Sequence, residues 1–173
     1  RTDLPGAGLA RAMAVLPMAT PPFLLAISWI MLLSPRTGII NQLLATALGL
    51  DAPPFNIYSL SGMIFVEGLG LVPSAFLILA PAVRNIDPSL EESALVCGAS
   101  TLRLIFRIIL PLLLPALLGT AIFLLIVSFV VFDVPGTIGM PARIFVLSSQ
   151  IYTLVVDSPR GIPEYGKVSA MAR

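Results

Sequence analysis

Long segments without charge alternate with shorter polar connections along the chain. Residues 12–35 and 108–132 carry no charged side chain, and residues 59–83 carry one, Glu67. Each segment is long enough for the roughly 20 apolar residues that a helix needs to cross a bilayer. The pattern therefore predicts three membrane spans, over 12–35, 59–83 and 108–132.

The spans and their connections differ in their helix-breaking residues. Pro17, Pro21 and Pro22 predict an irregular or kinked first half of the first span. Residues 39–50 predict a short amphipathic helix, ended by the prolines at 53 and 54. Residues 133–143 are rich in glycine and proline and indicate a loop. Residues 144–156 are apolar but too short to cross, so they predict a short outer helix.

Composition agrees with a membrane protein. Apolar residues make up 57% of the 173 residues and charged residues 11%, against about 45–50% and about 25% in soluble domains. The expected fold class is an all-α, multi-span membrane helical bundle. The length suits a single domain over residues 1–173, and the ending at Arg173 in mid-pattern indicates a part excised from a longer chain.

Charge and cysteine usage exclude several function classes. A net charge of +1 provides no basic field for nucleic acid. A single cysteine, Cys97, rules out a disulfide framework. With no histidine in the chain, Cys/His metal sites and His-based catalytic triads are excluded as well.

Residues 84–107 form the interior stretch that is dense in charge, and they predict a helix, a tight turn and a second helix. Residues typical of helix ends mark it: Asp87 and Pro88 at the first start, Gly98 at the stop, and Ser100 at the second start. Glu91 and Glu92 lie close to the positive end of the first helix. The second helix, predicted over 101–109, runs directly into the third span, so force on this stretch would move that span.

The spacing in this stretch resembles the coupling motif of type I ATP-binding-cassette importer permeases. That motif is Glu-Ala-Ala, three residues, Gly, nine residues, Ile, one residue, Leu-Pro. The chain matches it with Glu92-Ser93-Ala94, Gly98, Ile108 and Leu110-Pro111, and only Ser93 departs from it. The resemblance implies that a cytoplasmic loop couples this chain to an ATPase, with these residues taking part: Glu91, Glu92, Ala94, Gly98, Ala99, Arg103, Ile108, Leu110 and Pro111.

Two further segments resemble one particular group within this permease family. The segments Arg1-Thr2-Asp3-Leu4-Pro5-Gly6 and Val134-Pro135-Gly136-Thr137-Ile138-Gly139 look like the ferric-iron permease group. In that group two permease halves are commonly fused, and this chain would be the first half. Polyamine and thiamine permeases are similar enough that they remain alternative assignments.

The family resemblance implies a multi-pass protein of the bacterial inner membrane with several partners. Two permease halves, fused or separate, would enclose a pathway through the lipid bilayer. A periplasmic or extracellular binding protein would deliver the substrate. A dimer of ATPase subunits would bind the ATP, so this chain would need no cofactor and would perform no covalent chemistry.

Alternative functions for this chain depend on individual features of its sequence. Glu67, an acid inside a span, is a functional hypothesis by default, as a residue that lines the pathway or pairs across the dimer. The structural alternative, which is favoured here, is a buried hydrogen bond to a neighbouring helix. A secondary transporter driven by an ion gradient predicts paired intramembrane charges in an inverted repeat, and only Glu67 is present. A structural membrane subunit without a pathway would need no docking loop.

The segment Gly161–Lys167 matches most of a phosphate-binding loop. The next residue is Val168, where Mg²⁺ binding needs Ser or Thr, and Pro163 disrupts the loop. Nucleotide binding by this segment is therefore not expected.

Overall fold

The computed structural model describes residues 6–156 and 165–171, and every regular element in that part of the chain is helical. The α-helices are α1 (Ala7–Val15), α2 (Pro22–Leu33), α3 (Ile39–Leu48), α4 (Leu60–Arg84), α5 (Pro88–Val96), α6 (Thr101–Leu104), α7 (Leu110–Val130), α8 (Leu147–Val156) and α9 (Tyr165–Met171). The fold class is therefore all-α, as predicted. The segment Arg1–Pro5 and most of the Gly161–Lys167 segment lie outside the described residues.

The chain divides into two compact units. One unit comprises Arg1–Val15 and Leu71–Ile126, and it contains α1, the C-terminal half of α4, α5, α6 and most of α7. The other comprises Leu16–Gly70 and Val127–Arg173. The stretch that resembles the coupling motif lies wholly within the first unit.

The first half of the first predicted span is irregular, as the prolines indicated. Helix α1 is followed by a 3₁₀ turn at Leu16–Ala19, and α2 begins only at Pro22. Pro17 and the prolines at 21 and 22 remove backbone donors here, and a proline disfavours helical geometry in the residue before it. The two pieces amount to at most one broken span or a re-entrant segment.

Two other helices of the described chain are long and apolar enough to cross a membrane. The first is α4, with 25 residues, and the second is the continuous helix Thr101–Val130, with 30 residues. The helix that contains the predicted span at 108–132 begins at Thr101, because α6 and α7 are joined through a π-helical segment at Ile105–Ile109. The second coupling helix thus runs into this span, as predicted.

The core of the second unit explains why residues 133–143 are not the simple loop that the sequence suggests. Val134 and Ile138 are buried against Ala26, Met63 and Val66. The segment between them is π-helical over Pro135–Gly139. Burial of these apolar side chains stabilises the segment. Pro135 and Gly139 of the segment are buried as well.

Helix α8 begins later than the predicted residue 144. The backbone of Arg143 is left-handed, with φ of 59°. The Val146 N–H donates to the Ser149 hydroxyl at 2.9 Å, and that hydroxyl donates to the Val146 carbonyl at 3.0 Å. This local exchange of hydrogen bonds sets the start of the helix at Leu147.

The buried side-chain amide of Asn41 connects α3 to neighbouring segments of the second unit by hydrogen bonds. The Asn41 side chain is 1% exposed, and its Nδ2 donates to the carbonyls of Leu33, Ser34 and Phe55 at 2.9, 3.1 and 2.8 Å. Its Oδ1 accepts from the Phe55 N–H at 3.0 Å. Helix α3 itself ends at Gly49, which is left-handed with φ of 61°, so the glycine and not the prolines at 53 and 54 ends it.

Candidate functional site

The first arm of the site is α5, and its start follows from local chemistry. Pro88 occupies the first helical position, where its missing N–H costs nothing. The Asp87 Oδ1 accepts from the Ser89 N–H at 2.9 Å, which satisfies one of the open donors of the first turn. Glu91, in that first turn, is half-buried, and Glu92 is exposed. The predicted cap at Asp87 is thus formed.

The end of α5 is a complete glycine stop. Gly98 has φ of +75°, and its N–H donates to the Leu95 carbonyl at 3.0 Å. The Ala99 N–H donates to the Ala94 carbonyl at 3.0 Å. These two bonds define a Schellman motif, in which the left-handed residue turns the chain sharply while satisfying the last carbonyls. The left-handed conformation predicted for Gly98 is therefore present.

The second arm begins two residues later. The Ser100 Oγ accepts from the Arg103 N–H at 3.4 Å and caps α6. Helix α6 packs against α5, and Leu104 of α6 is 6% exposed. Its place one turn after the cap, among apolar residues, was the available sequence signal for this burial.

A π-helical segment joins the second arm to α7, where the sequence predicts an ordinary helix over 101–109. The Leu110 N–H donates to the Ile105 carbonyl, a five-residue span, immediately before Pro111. Pro111 has no N–H, and its ring would crowd the Arg107 carbonyl in an ordinary α-helix. A widened turn accommodates it, and such widened turns are frequent at functional sites.

The tip of the two arms presents apolar side chains outward. Val96 is 88% exposed and Phe106 is 64% exposed. The other exposed apolar residues of the arms are Leu90, Leu95, Leu102 and Ile105. Large apolar side chains exposed on both arms of a charged loop are a feature of protein-binding surfaces. We call residues 87–111 the coupling knob.

The remaining predicted motif residues all lie on the coupling knob. Ala94, Ala99 and Ile108 are half-buried, whereas Arg103, Leu110 and Pro111 are exposed. The exposed members are available to a partner. The whole motif lies within a single compact unit.

Glu67 lies in the other unit, on the N-terminal half of α4, where it is half-buried. Within residues 6–156 and 165–171 its carboxylate forms no hydrogen bond and no salt bridge. The hydrogen bond to a neighbouring helix that the sequence analysis considered is therefore not formed among these residues. Asp133, also in this unit, is close enough to interact with it electrostatically.

Comparisons with known proteins agree with this architecture. A ferric transport system permease protein of Actinobacillus pleuropneumoniae is 30% identical over 150 residues, 87% of this chain and 21% of the relative. An sn-glycerol-3-phosphate transport system permease protein of Yersinia enterocolitica is 33% identical over 132 residues, 73% of this chain and 42% of the relative. The chain thus spans less than half the length of either relative.

A solved structure has the same fold. It is a bacterial alginate ABC transporter in complex with an alginate pentasaccharide-bound periplasmic protein, 26% identical with a TM-score of 0.66, and the match covers 98% of this chain and 61% of that one. The model of the family described as binding-protein-dependent transport system inner membrane component matches residues 5–155. The chain therefore belongs to this family of inner-membrane transport components.

Proposed function

We propose that this chain is the coupling part of a bacterial ATP-driven importer permease, in which the coupling knob receives force from a separate ATPase. The observation that carries the proposal is mechanical. The second arm of the knob is continuous with a 30-residue apolar helix, so a push on the knob is transmitted along a helix about 45 Å long.

The exposed surface of the knob supports the same role. The exposed side chains of Val96 and Phe106, one on each arm, provide anchors for a groove on a partner, and aromatic anchors contribute strongly to such interfaces. The ATPase subunits act as a dimer and bind the ATP, and this chain is not an enzyme. The 173 residues form one permease domain, which works with a second permease half, fused or separate, and with an external binding protein.

The proposed substrate is ferric iron. Its support is the similarity to a ferric transport permease, together with the segments at residues 1–6 and 134–139. The similarity to a glycerol phosphate permease keeps other substrates open to test, and polyamine and thiamine are the alternatives. Uptake of radioactive iron by cells that express the complete transporter, in competition with each alternative, identifies the substrate.

Glu67 is proposed as a residue of the pathway. A half-buried carboxylate without a hydrogen-bond partner among the described residues suits transient contact with a cation. Glu67→Gln removes the charge and keeps the shape, and it is expected to slow iron uptake without affecting ATPase association. Glu67→Asp, which retains the charge, is the matched control and is expected to preserve more of the uptake.

Association with the ATPase tests the central proposal. Val96→Asp places a carboxylate at the tip of the knob, and its burial in an interface is expected to weaken ATPase binding about tenfold or more. Ile39→Asp introduces the same charge at an exposed apolar position of α3 and serves as the control. If both variants co-purify with equal amounts of ATPase, the knob is not the docking element.

Orientation is tested independently by labelling. With Cys97 replaced by serine, single cysteines are placed at exposed positions and treated with an impermeant thiol reagent in spheroplasts. Thr37 and Pro141 are expected to label directly, whereas Ser93 and Thr101 label only after permeabilisation. Pro141 is preferred to Thr137, whose hydroxyl donates to the Asp133 carbonyl at 2.6 Å in a half-buried position. The reverse pattern would place the knob away from ATP and would refute the proposal.

A further inference from the structure

An apolar cleft of about 510 Å³ runs along α4 in the first unit. One face of the helix supplies its wall, with apolar residues at spacings of three and four: Val72, Ala75, Phe76, Leu79, Ala80 and Val83. Such spacing places all six side chains on a single stripe of the helix. The cleft is therefore a groove along the helix axis and not an enclosed cavity.

The length and depth of the groove match one leaflet of a bilayer. From Val72 to Val83 the helix rises about 16 Å at 1.5 Å per residue, and half of a hydrocarbon core of about 30 Å is about 15 Å. Val72 lies at the midpoint of α4, and Arg84 is its last residue. The groove thus extends from the centre of the membrane to the end of the helix that leads into the coupling knob.

Two arginines and no acid line this groove among the described residues. Arg84 stands at the end of α4, and Arg11 of α1 lines the same groove. Arg11 forms no salt bridge with another described residue. Arg84 also takes part in interactions within the chain, and a guanidinium with five N–H donors can add a further acceptor to those. Guanidinium groups bind phosphate oxygens in paired hydrogen bonds.

We propose that this groove binds an anionic phospholipid, with an acyl chain along the apolar stripe of α4 and the phosphate at Arg11 and Arg84. Basic pockets at membrane-embedded helices on the cytoplasmic side are suited to anionic head groups. An empty groove in the hydrocarbon would lose dispersion contacts along its whole wall. The assignment to the inner leaflet rests on the proposed orientation of the importer, whereas the binding chemistry does not.

Charge complementarity favours a lipid over a protein occupant. The groove has an apolar wall about as long as one leaflet, and it ends at Arg11 and Arg84. A molecule with an apolar tail and one anionic head group matches both features. A helix of a second permease half would fill the wall but would leave the two arginines in need of an acid at the same depth. That occupant is an outcome of the test.

The experiment is native mass spectrometry of the complete transporter, with its ATPase, titrated with phosphatidylglycerol or phosphatidylcholine of identical acyl chains. Phosphatidylglycerol is expected to be retained preferentially. Arg11→Gln and Arg84→Gln are each expected to weaken its retention about fivefold. Arg36→Gln, at an exposed arginine of the other unit, is the matched control and leaves retention unchanged.

A second pair of variants tests the apolar wall. Ala80→Phe fills the groove and is expected to reduce retention of phosphatidylglycerol, whereas Leu77→Phe, off the groove face of the same helix, does not. Equal retention of the two lipids, or no effect of the two arginine variants, overturns the proposal. A disulfide or cross-link from a cysteine at Ala75 to the second permease half also overturns it. The ATPase content of the same sample reports separately on the importer proposal.

Discussion

The turn at Gly98 permits the most direct test of the proposal that the knob docks an ATPase. A Cβ atom built on Gly98 meets no atom within 4 Å, so a substitution there creates no clash within the chain. The cost is confined to the backbone, because φ is +75°. A side chain other than glycine or asparagine in the left-handed region costs about 1–3 kcal/mol.

Gly98→Val is therefore expected to shift the knob away from its docking geometry. If the ATPase binds only the intact turn, about 1–3 kcal/mol corresponds to a loss of affinity of about 5-fold to 150-fold. The loss is expected to approach its upper end when the Schellman bonds from Gly98 and Ala99 break as well, since each such bond contributes about 1 kcal/mol. Membrane insertion is expected to be unaffected.

The assay is binding of the purified ATPase to the permease in nanodiscs, together with stimulated ATP hydrolysis. Gly98→Asn is the matched rescue, because asparagine tolerates the left-handed region. Gly119→Ala, at a glycine of α7 with open space around it and without a positive φ, is the control for glycine replacement itself. Wild-type affinity in Gly98→Val, or equal losses in the valine and asparagine variants, would refute the reasoning.

Three further predictions concern stability and nucleotide use. Asn41→Ala removes four hydrogen bonds at a buried amide and is expected to destabilise the second unit by about 2–3 kcal/mol, measured as a lower Tm in detergent. Gly62→Ala directs a methyl group into the Ile57 carbonyl and is expected to lower Tm, whereas Gly68→Ala, with open space, is not. Lys167→Ala is expected to leave ATP hydrolysis by the complete transporter unchanged, and a large loss would mean that the segment ending there contacts nucleotide.

The ends of the coupling helices were predictable from sequence because their chemistry is local. A cap at Asp87, a left-handed Gly98 and a second cap at Ser100 each depend on hydrogen bonds between residues two to five positions apart. The apolar lengths of α4 and α7 were predictable for a similar reason, since a bilayer of fixed thickness sets the number of apolar residues in a span.

The breaks in regular helix were only partly predictable. The prolines at 17, 21 and 22 indicated an irregular first span, but not a 3₁₀ turn followed by a new helix at Pro22. Pro111 lies within a helix that continues from Thr101 to Val130, and the widened turn before it accommodates the proline without ending the helix. A proline determines that one hydrogen bond is lost, and the packing around it decides how the chain adapts.

Sequence by itself determined the membrane class, the all-α fold and the caps and glycine stop of the coupling helices, because each follows from composition or from neighbours along the chain. Tertiary structure alone decided that Ile138 is core, that Asn41 ties α3 to residues eight positions before it and fourteen after it, and that Leu104 is buried. Burial depends on which distant residues meet, as Ile138 and Ala26 do, and no local pattern contains that information.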